Sequence, residues 1–341
     1  MAINKVEIKN FTAFEDIVIN FCKGINIFVG ENGTGKTHLL KLIYATVLLP
    51  KIGVPATHCL DSSQNAEMIF GPDIISRLRN KDIDACCAIF NDKTTISKMT
   101  ISSGPCIPNT GTKYFNEDGG FDKIARNIVF IPAKDMLTHS KGLLEMAKKY
   151  SKDMPFDRTL LDIIEKSRQW KLDDTPDIAK KIIPVLESAI DGKIVIEDNT
   201  FFVEKANGEK TSFIHEAEGI KKFGLLWQLL MNESINKHTL LLWDEPEANI
   251  NPKLIPVIVE ILLELSRNGV QVFAATHDYI FAKYFEVRRS KTDSVVFHSL
   301  YKTDNGVKCE TNDDFRELKN NSIIVAFDEL MDEVIDGNLG D

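Results

Sequence analysis

A glycine-rich stretch at residues 30–37 limits the possible folds of this chain more than any other feature. It reads Gly-Glu-Asn-Gly-Thr-Gly-Lys-Thr and follows a short apolar run at residues 25–29. Apolar residues then recur at helical spacing, at Leu39, Leu40, Ile43, Tyr44 and Val47. Strand, G-x-x-x-x-G-K-[ST] loop and helix are the order that phosphate binding requires, because the glycines let backbone N–H groups turn inward and the helix N-terminus faces the same charge. The stretch is therefore predicted to bind the phosphates of a nucleotide.

Two side chains of this loop carry specific predictions. Lys36 is expected to reach the β- and γ-phosphates, and the Thr37 hydroxyl is expected to bind Mg²⁺. The other loop residues are expected to surround the phosphates, namely Gly30, Glu31, Asn32, Gly33, Thr34 and Gly35. ATP and Mg²⁺ are the predicted cofactors.

An acidic pair ends a second apolar run. Four apolar residues at 240–243 lead into Asp244, Glu245 and a proline. Adjacent acids at a strand end are usually only solvated, but beside a phosphate-binding loop they can serve one metal–phosphate centre, with Asp244 on Mg²⁺ and Glu245 polarising the attacking water. A third apolar strand ends in Thr276-His277. A histidine at a strand end is most often structural. Because the chain also has a phosphate-binding loop and an acidic pair, His277 is predicted to sense the γ-phosphate.

The rest of the chain alternates between strand and helix patterns. Apolar strands alternating with helices predict an α/β fold with a mainly parallel sheet, an antiparallel β subdomain and a helical insert. We expect one domain over residues 1–341, with a β-rich decoration at 50–126, a helical and hairpin insert at 136–214, and an acidic helical tail at 310–341. Within the decoration, a hairpin is predicted from residues 86–90 and 94–101 around Asn91-Asp92-Lys93.

Charge, hydropathy and cysteine spacing argue against nucleic-acid coating and membrane insertion, and they favour the cytoplasm. The formal net charge of −9 argues against coating nucleic acid by charge alone, although it leaves a local DNA groove open. No apolar run approaches the roughly 20 residues that cross a bilayer, and the six cysteines have neither zinc-ligand nor disulfide-framework spacing. A cytoplasmic protein without membrane contact is expected.

With these motifs in view, the sequence resembles the ABC-type ATPase heads, in the branch that includes SMC-like, RecF-like and OLD-like proteins. The resemblance covers residues 1 to about 300 and rests on Asn10-Phe11, the loop at 30–37, the Asp-Glu-Pro-Glu-Ala-Asn-Ile-Asn-Pro run at 244–252, and Thr276-His277. It implies a P-loop NTPase head that hydrolyses ATP and forms a homodimer around nucleotide. Glu245 would be the general base, and residues 249–251 would meet the other subunit.

Two further family elements match less well. The resemblance places a metal-contacting loop at residues 132–135, where Asp135 stands without the family's glutamine. It places the signature motif at 217–221, where Gly219 and Lys221 would contact the partner's nucleotide. Ala217 stands where the serine would be, so an ordinary helix N-terminus is the alternative.

Several functions remain open. The run at 244–252 is similar to that of stand-alone defence and repair ATPases. Only about 80 residues separate the metal-contacting loop from the signature, where a chromosome-scale SMC protein would carry hundreds. This compact length favours a head that controls a separate effector, a nuclease or toxin, in anti-phage defence, as in Septu PtuA and retron-associated ATPases. A RecF-like or SMC-like DNA-repair ATPase that binds DNA directly is the alternative. A transporter subunit is disfavoured by the Glu-Ala-Asn element and the missing Ser-Gly-Gly core.

The last part of the chain suggests how an effector would be reached. Only 64 residues follow His277, so no nuclease domain of its own is expected. Acids at 328, 329, 332 and 333 alternate with apolar residues at helical spacing. This pattern predicts an amphipathic helix that docks on the head or on a partner.

Overall fold

The computed structural model describes residues 2–51, 69–70, 85–91, 94–101, 127–150 and 156–338. The strands are β1 Lys5–Phe11, β2 Phe14–Asn20, β3 Ile25–Gly30, β4 Ala85–Asn91, β5 Thr94–Ile101, β6 Asn127–Ile131, β7 Lys193–Glu197, β8 Thr200–Glu204, β9 Lys210–Ser212, β10 Thr239–Asp244, β11 Gln271–Ala275, β12 Val295–Thr303 and β13 Gly306–Asn312. The α-helices are α1 Lys36–Lys51, α2 Leu143–Lys149, α3 Arg158–Ser167, α4 Ile183–Ile190, α5 Glu218–Met231, α6 Ile255–Arg267, α7 Tyr279–Arg288 and α8 Ser322–Asn338.

The central sheet has six strands in the order β13-β12-β3-β11-β10-β6. Neighbouring strands of this sheet pair in parallel, except that β13 pairs antiparallel with β12 at one edge. β10 is buried throughout because both sheet faces are covered. Leu241 and Trp243 enter one core cluster, and Leu240 and Leu242 enter the other. The predicted mainly parallel α/β fold is confirmed.

A second, antiparallel sheet has the order β2-β1-β4-β5. Alternate residues of β1 and β2, such as Val6 and Ile19, are buried in the same core cluster as the apolar side of α1. The predicted hairpin is confirmed by the antiparallel pairing of β4 with β5. Residues 92–93 of its turn, and much of the predicted decoration at 50–126, lie outside the described residues.

The predicted insert at 136–214 contains α2, α3, α4 and a small antiparallel sheet, β7-β8-β9. Gly208 has a positive φ of 82° in the turn between β8 and β9, a backbone conformation that glycine adopts without strain. α4 and α5 contribute Leu186 and Phe223 to one core cluster with Phe201 of β8. The insert is therefore packed onto the helix that carries the signature-like sequence.

The prediction of a helical tail over 310–341 is wrong at its start. Glu310 lies in β13, opposite Ser299 of β12, and the helix begins only at Ser322. Val307 is buried, so pairing with β12 and burial of this side chain outweigh the acidic composition.

The parallel sheet determines where the functional residues meet. β3, β10 and β11 are neighbours in the sheet, and their carboxyl ends reach the same edge. The glycine-rich loop and Thr276 lie at the ends of β3 and β11, and Asp244 is the last residue of β10. Within the described part of the chain, no helix has the length and apolarity needed to span a membrane.

Candidate active site

Lys36, the first residue of α1, lies inside the loop that precedes it. Its Nζ donates to the carbonyl oxygens of Gly30 (2.7 Å) and Glu31 (2.8 Å). Burial lowers the pKa of Lys36 to about 8, although Asp244 and Glu245 oppose the shift. A desolvated ammonium group held by backbone carbonyls fits the oxygens of a polyphosphate, as the sequence predicts.

The shape of the loop depends on glycine at position 35. Gly35 has a φ of +87°, and a Cβ there would lie 2.9 Å from the ring of Phe14 at the start of β2. Both the backbone conformation and the contact exclude larger residues. Phe14 therefore supports the loop from the antiparallel sheet.

Thr37 and Asp244 form the metal side of the site. The Thr37 hydroxyl donates to Asp244 Oδ2 at 2.9 Å and lies 3.2 Å from Oδ1. Burial raises the pKa of Asp244, and the bond from Thr37 opposes this shift. A hydroxyl and a carboxylate are hard oxygen ligands, so this pair fits Mg²⁺.

Glu245 and His277 face each other across the neighbouring strand ends. Glu245 has a left-handed backbone, with φ +48°, and its N–H donates to the Ala275 carbonyl at 2.9 Å. Its Oε1 lies 3.7 Å from His277 Nε2. Burial and the nearby Lys36 charge lower the pKa of His277, which favours the neutral imidazole. Both side chains line a cleft with Thr37, so a carboxylate base and an imidazole face the predicted phosphate site.

Two buried charged residues, Lys222 and Glu247, contact the segments that carry Glu245 and His277, and sequence reasoning did not assign them this role. Lys222 Nζ donates to the Glu245 carbonyl at 2.7 Å, and Thr276 Oγ1 donates to Glu247 Oε1 at 2.6 Å. Burial lowers the pKa of Lys222 to about 8 and raises that of Glu247 to about 7. The sequence signals were a lysine next to Lys221 and an acid within the run at 244–252, and neither shows that the side chain is buried.

The far wall of the cleft comes from the turn between β1 and β2 and from α1. Thr12, Ala13 and His38 line it together with the glycine-rich loop. Thr12 has a positive φ of 50°, and the His38 ring meets the edge of Phe70 at a centroid distance of 6.0 Å. Sequence reasoning missed this wall because its residues share no motif.

Asp135 makes contacts other than those its predicted metal role requires. Its carboxylate accepts the N–H groups of Leu137 (2.9 Å) and Thr138 (3.2 Å), and its Oδ2 lies 4.0 Å from Lys221 Nζ. Its contacts are thus with its own turn and α5, whereas Asp244 contacts Thr37. The contacts do not support Asp135 as a metal ligand.

Gly219 and Lys221 lie at the start of α5. A Cβ on Gly219 would lie 3.2 Å from the Asn249 carbonyl oxygen, so the absent side chain lets the predicted signature and subunit-contact loop meet. Lys221 is buried and binds Glu218 at 2.7 Å. Ala217 caps α5 without a side-chain hydrogen bond. Lys221 is thus engaged inside its own chain, and its predicted contact with a partner's nucleotide stays a prediction.

Comparison with known proteins finds similarity to AAA domains and to RecF proteins. A family model described as "AAA domain, putative AbiEii toxin, Type IV TA system" matches residues 121–282, and a second AAA-domain model matches residues 5–47. The chain is similar to the DNA replication and repair protein RecF of Proteus mirabilis, with 24% identity over 208 residues, or 53% of this chain and 57% of that protein. RecF of Pediococcus pentosaceus is 44% identical over 48 residues, 14% of this chain and 13% of that protein.

Solved structures agree with the fold. An SMC head bound to the C-winged helix domain of ScpA matches with a TM-score of 0.55 and 16% identity, covering 94% of this chain and all of that one. An SMC head from Pyrococcus furiosus, bound to the C-terminal domain of ScpA, matches with a TM-score of 0.51 and 13% identity, over 91% of this chain and 96% of that one. The chain is thus similar to AAA domains over residues 5–47 and 121–282 and to part of RecF, and it shares the fold of SMC heads. The chain spans little more than half the length of the first curated relatives it matches.

Proposed function

We propose that this chain binds ATP with Mg²⁺ and hydrolyses it to ADP and phosphate. The observation that carries the proposal is the meeting of three strand ends, where Asp244 accepts from Thr37 at 2.9 Å and Glu245 lies 3.7 Å from His277. Lys36 lies within the same cleft. A cation for phosphate, two oxygen ligands for a metal and a base for water are the parts that phosphoryl transfer needs.

Each residue has a distinct role in this proposal. The glycine-rich loop and Lys36 bind and orient the phosphates, and Thr37 with Asp244 holds Mg²⁺. The metal, when bound, neutralises charge on the phosphate oxygens. Glu245 accepts a proton from the attacking water, and neutral His277 donates a hydrogen bond at the γ-phosphate end.

Replacing Glu245 with Gln tests the proposal. The variant should retain ATP binding but hydrolyse ATP roughly 10²- to 10⁴-fold more slowly, since it lacks the positioned base. Steady-state phosphate release and ATP binding by calorimetry measure the two effects. Glu260→Gln, on the exposed side of α6, is the matched control and should behave like wild type. Unchanged turnover in Glu245→Gln would move the base to another residue.

We also propose that two copies pair around nucleotide in the cytoplasm. The close approach of Gly219 to Asn249 supports this, because it brings both predicted subunit-contact elements to one surface. Light scattering of Glu245→Gln with ATP and Mg²⁺ should give twice the monomer mass. A monomer mass at high protein and ATP concentrations would contradict the pairing.

The wider role we propose is control of a separate nuclease or toxin in anti-phage defence. The matching family model is described as a putative toxin of a toxin–antitoxin system, and this likeness to a toxin family supports a role within such a system. The purified chain alone should leave plasmid and single-stranded DNA intact in Mg²⁺ or Mn²⁺, with and without ATP. Cleavage by material free of other proteins, lost on changing Asp328 and Asp332 to Ala, would contradict it.

Direct DNA binding is the second candidate, and the similarity to RecF proteins of DNA replication and repair favours it. It predicts a mobility shift of duplex DNA that weakens steeply as salt increases, because phosphate contacts release counterions. A chain that leaves DNA mobility unchanged at low salt would remove this candidate.

A further inference from the structure

The amphipathic helix α8 is only partly covered by the rest of the molecule. At 100° per residue, its apolar side chains form one stripe that includes Ile323, Phe327, Leu330, Met331 and Ile335. At the start of the helix this stripe is docked on the head, since Ile323 packs against the core and Phe327 is partly buried.

The contact of Phe327 shows how firmly the start of α8 is held. Its ring stacks on Tyr279 of α7, with 4.0 Å between centroids and 7° between planes. Ile323 and Phe327 also border a cleft with Asn32 of the glycine-rich loop and with His277. The docked part of α8 is therefore beside the proposed nucleotide site.

The same stripe continues beyond the docked part without cover from the described residues. Leu330 is 54% exposed, Met331 42% and Ile335 52%. The eleven residues after Phe327 extend the helix by about 16 Å, at 1.5 Å per residue. A stripe that begins as a packing face and continues into solvent is typical of a surface that a second helix covers.

The charge of α8 indicates which kind of helix could cover its exposed stripe. All five ionisable side chains of Ser322–Asn338 are acidic, at positions 328, 329, 332, 333 and 336, and the helix has no basic residue. They occupy the side opposite the stripe and flank both its edges. A second copy of α8 would bring like charges together, whereas a helix with lysine or arginine beside its apolar residues would complement them.

We propose that the exposed stripe of α8 binds a basic amphipathic helix of a partner protein. Leu330, Met331 and Ile335 provide the apolar contact, and the flanking carboxylates select the basic partner. This surface is separate from the proposed ATPase chemistry and does not require nucleotide.

The probe is a fluorescein-labelled 18-residue peptide with leucine at heptad a and d positions and lysine elsewhere, titrated into the full chain without nucleotide and followed by anisotropy. Wild type should bind it. The double substitution Leu330→Gln and Ile335→Gln should weaken binding at least tenfold, while Val325→Gln, an equally exposed apolar residue on the acidic side of the helix, should leave it within twofold. Circular dichroism should show equal helix content in all variants.

Comparison peptides separate the alternatives. A scrambled leucine–lysine peptide and a heptad peptide with glutamate in place of lysine should both bind at least tenfold more weakly. Equal binding of either peptide, no binding of the first peptide, or equal loss in Val325→Gln would overturn the proposal. So would a wild-type dimer without nucleotide that the double substitution makes monomeric, since a second copy would then cover the stripe. Lys36→Ala should bind the peptide like wild type, which separates this test from that of the ATPase site.

Discussion

The glycine-rich loop and the start of α5 differ in how their motif residues are used. At the loop, the motif residues predicted to act together do meet: Thr37 contacts Asp244, and the Lys36 side chain lies within the loop. At the start of α5, Lys221 is paired with Glu218, and its neighbour Lys222 is the one that reaches the Glu245 carbonyl.

This difference shows which kind of motif can be interpreted from the sequence alone. The loop is set by backbone geometry, where glycines at positive φ and a following helix leave little freedom. At α5, two adjacent lysines point about 100° apart around the helix, and only the packing of α5 decides which one faces the site.

Lys36→Ala should have the largest effect on the loop side of the comparison. ATP affinity should fall by roughly 10²-fold or more, since a triphosphate would lose its main charged hydrogen-bond donor. Isothermal titration measures the loss. Lys41→Ala, one turn later in α1, is the control, because Lys41 pairs with Asp157 at 2.6 Å. Wild-type affinity in Lys36→Ala would show that the loop does not bind phosphate.

Lys222→Met and Lys221→Met sharpen the comparison at α5. Loss of a charged hydrogen bond costs roughly 1–3 kcal/mol, so Lys222→Met should slow ATP turnover about 10- to 100-fold by releasing the left-handed turn at Glu245. KM should change little, because Lys222 contacts the backbone of Glu245 and Pro246. Lys221→Met should stay within a few-fold of wild type in the isolated subunit. The opposite ranking of the two variants, at equal melting temperature, would return the main role to Lys221.

Glu247→Gln should have the smallest effect, on stability alone. The pKa of Glu247 is about 7 in the folded chain against an ordinary 4.5, so folding takes up a proton between these values and wild-type stability falls as pH rises through this window. The neutral amide removes this loss. Among the described residues Glu247 Oε2 has no hydrogen-bond partner, so the amide NH₂ of Gln would be an unsatisfied donor at a cost of roughly 1–3 kcal/mol. This cost offsets most of the relieved loss of about 3 kcal/mol, which leaves a net gain of about 1 kcal/mol.

Urea unfolding at pH 5 and pH 7.5 tests this prediction. Glu247→Gln should gain on wild type only at pH 7.5. Equal differences at both pH values would mean that the Glu247 carboxyl is ionised throughout.

Most strands and helices were predictable because their periodicity is strong. The buried runs at β3, β10 and β11 and the β4–β5 hairpin follow directly from apolar patterns. The tail prediction failed because acidic composition at 310–312 says nothing about pairing with β12. The division of the rest of the chain into decoration and insert, like the roles of the individual site residues, remains a prediction.

By itself the sequence determined the loop at 30–37, the acidic pair at the end of β10, and the parallel α/β class, because each depends on local backbone geometry or on hydrophobic periodicity. Only the tertiary structure decided that Lys222 holds Glu245, that Asp135 faces Lys221, and that α8 begins on the head and ends exposed. These three outcomes depend on how separate elements pack. Contacts between residues far apart in the chain leave no local pattern in the amino-acid sequence.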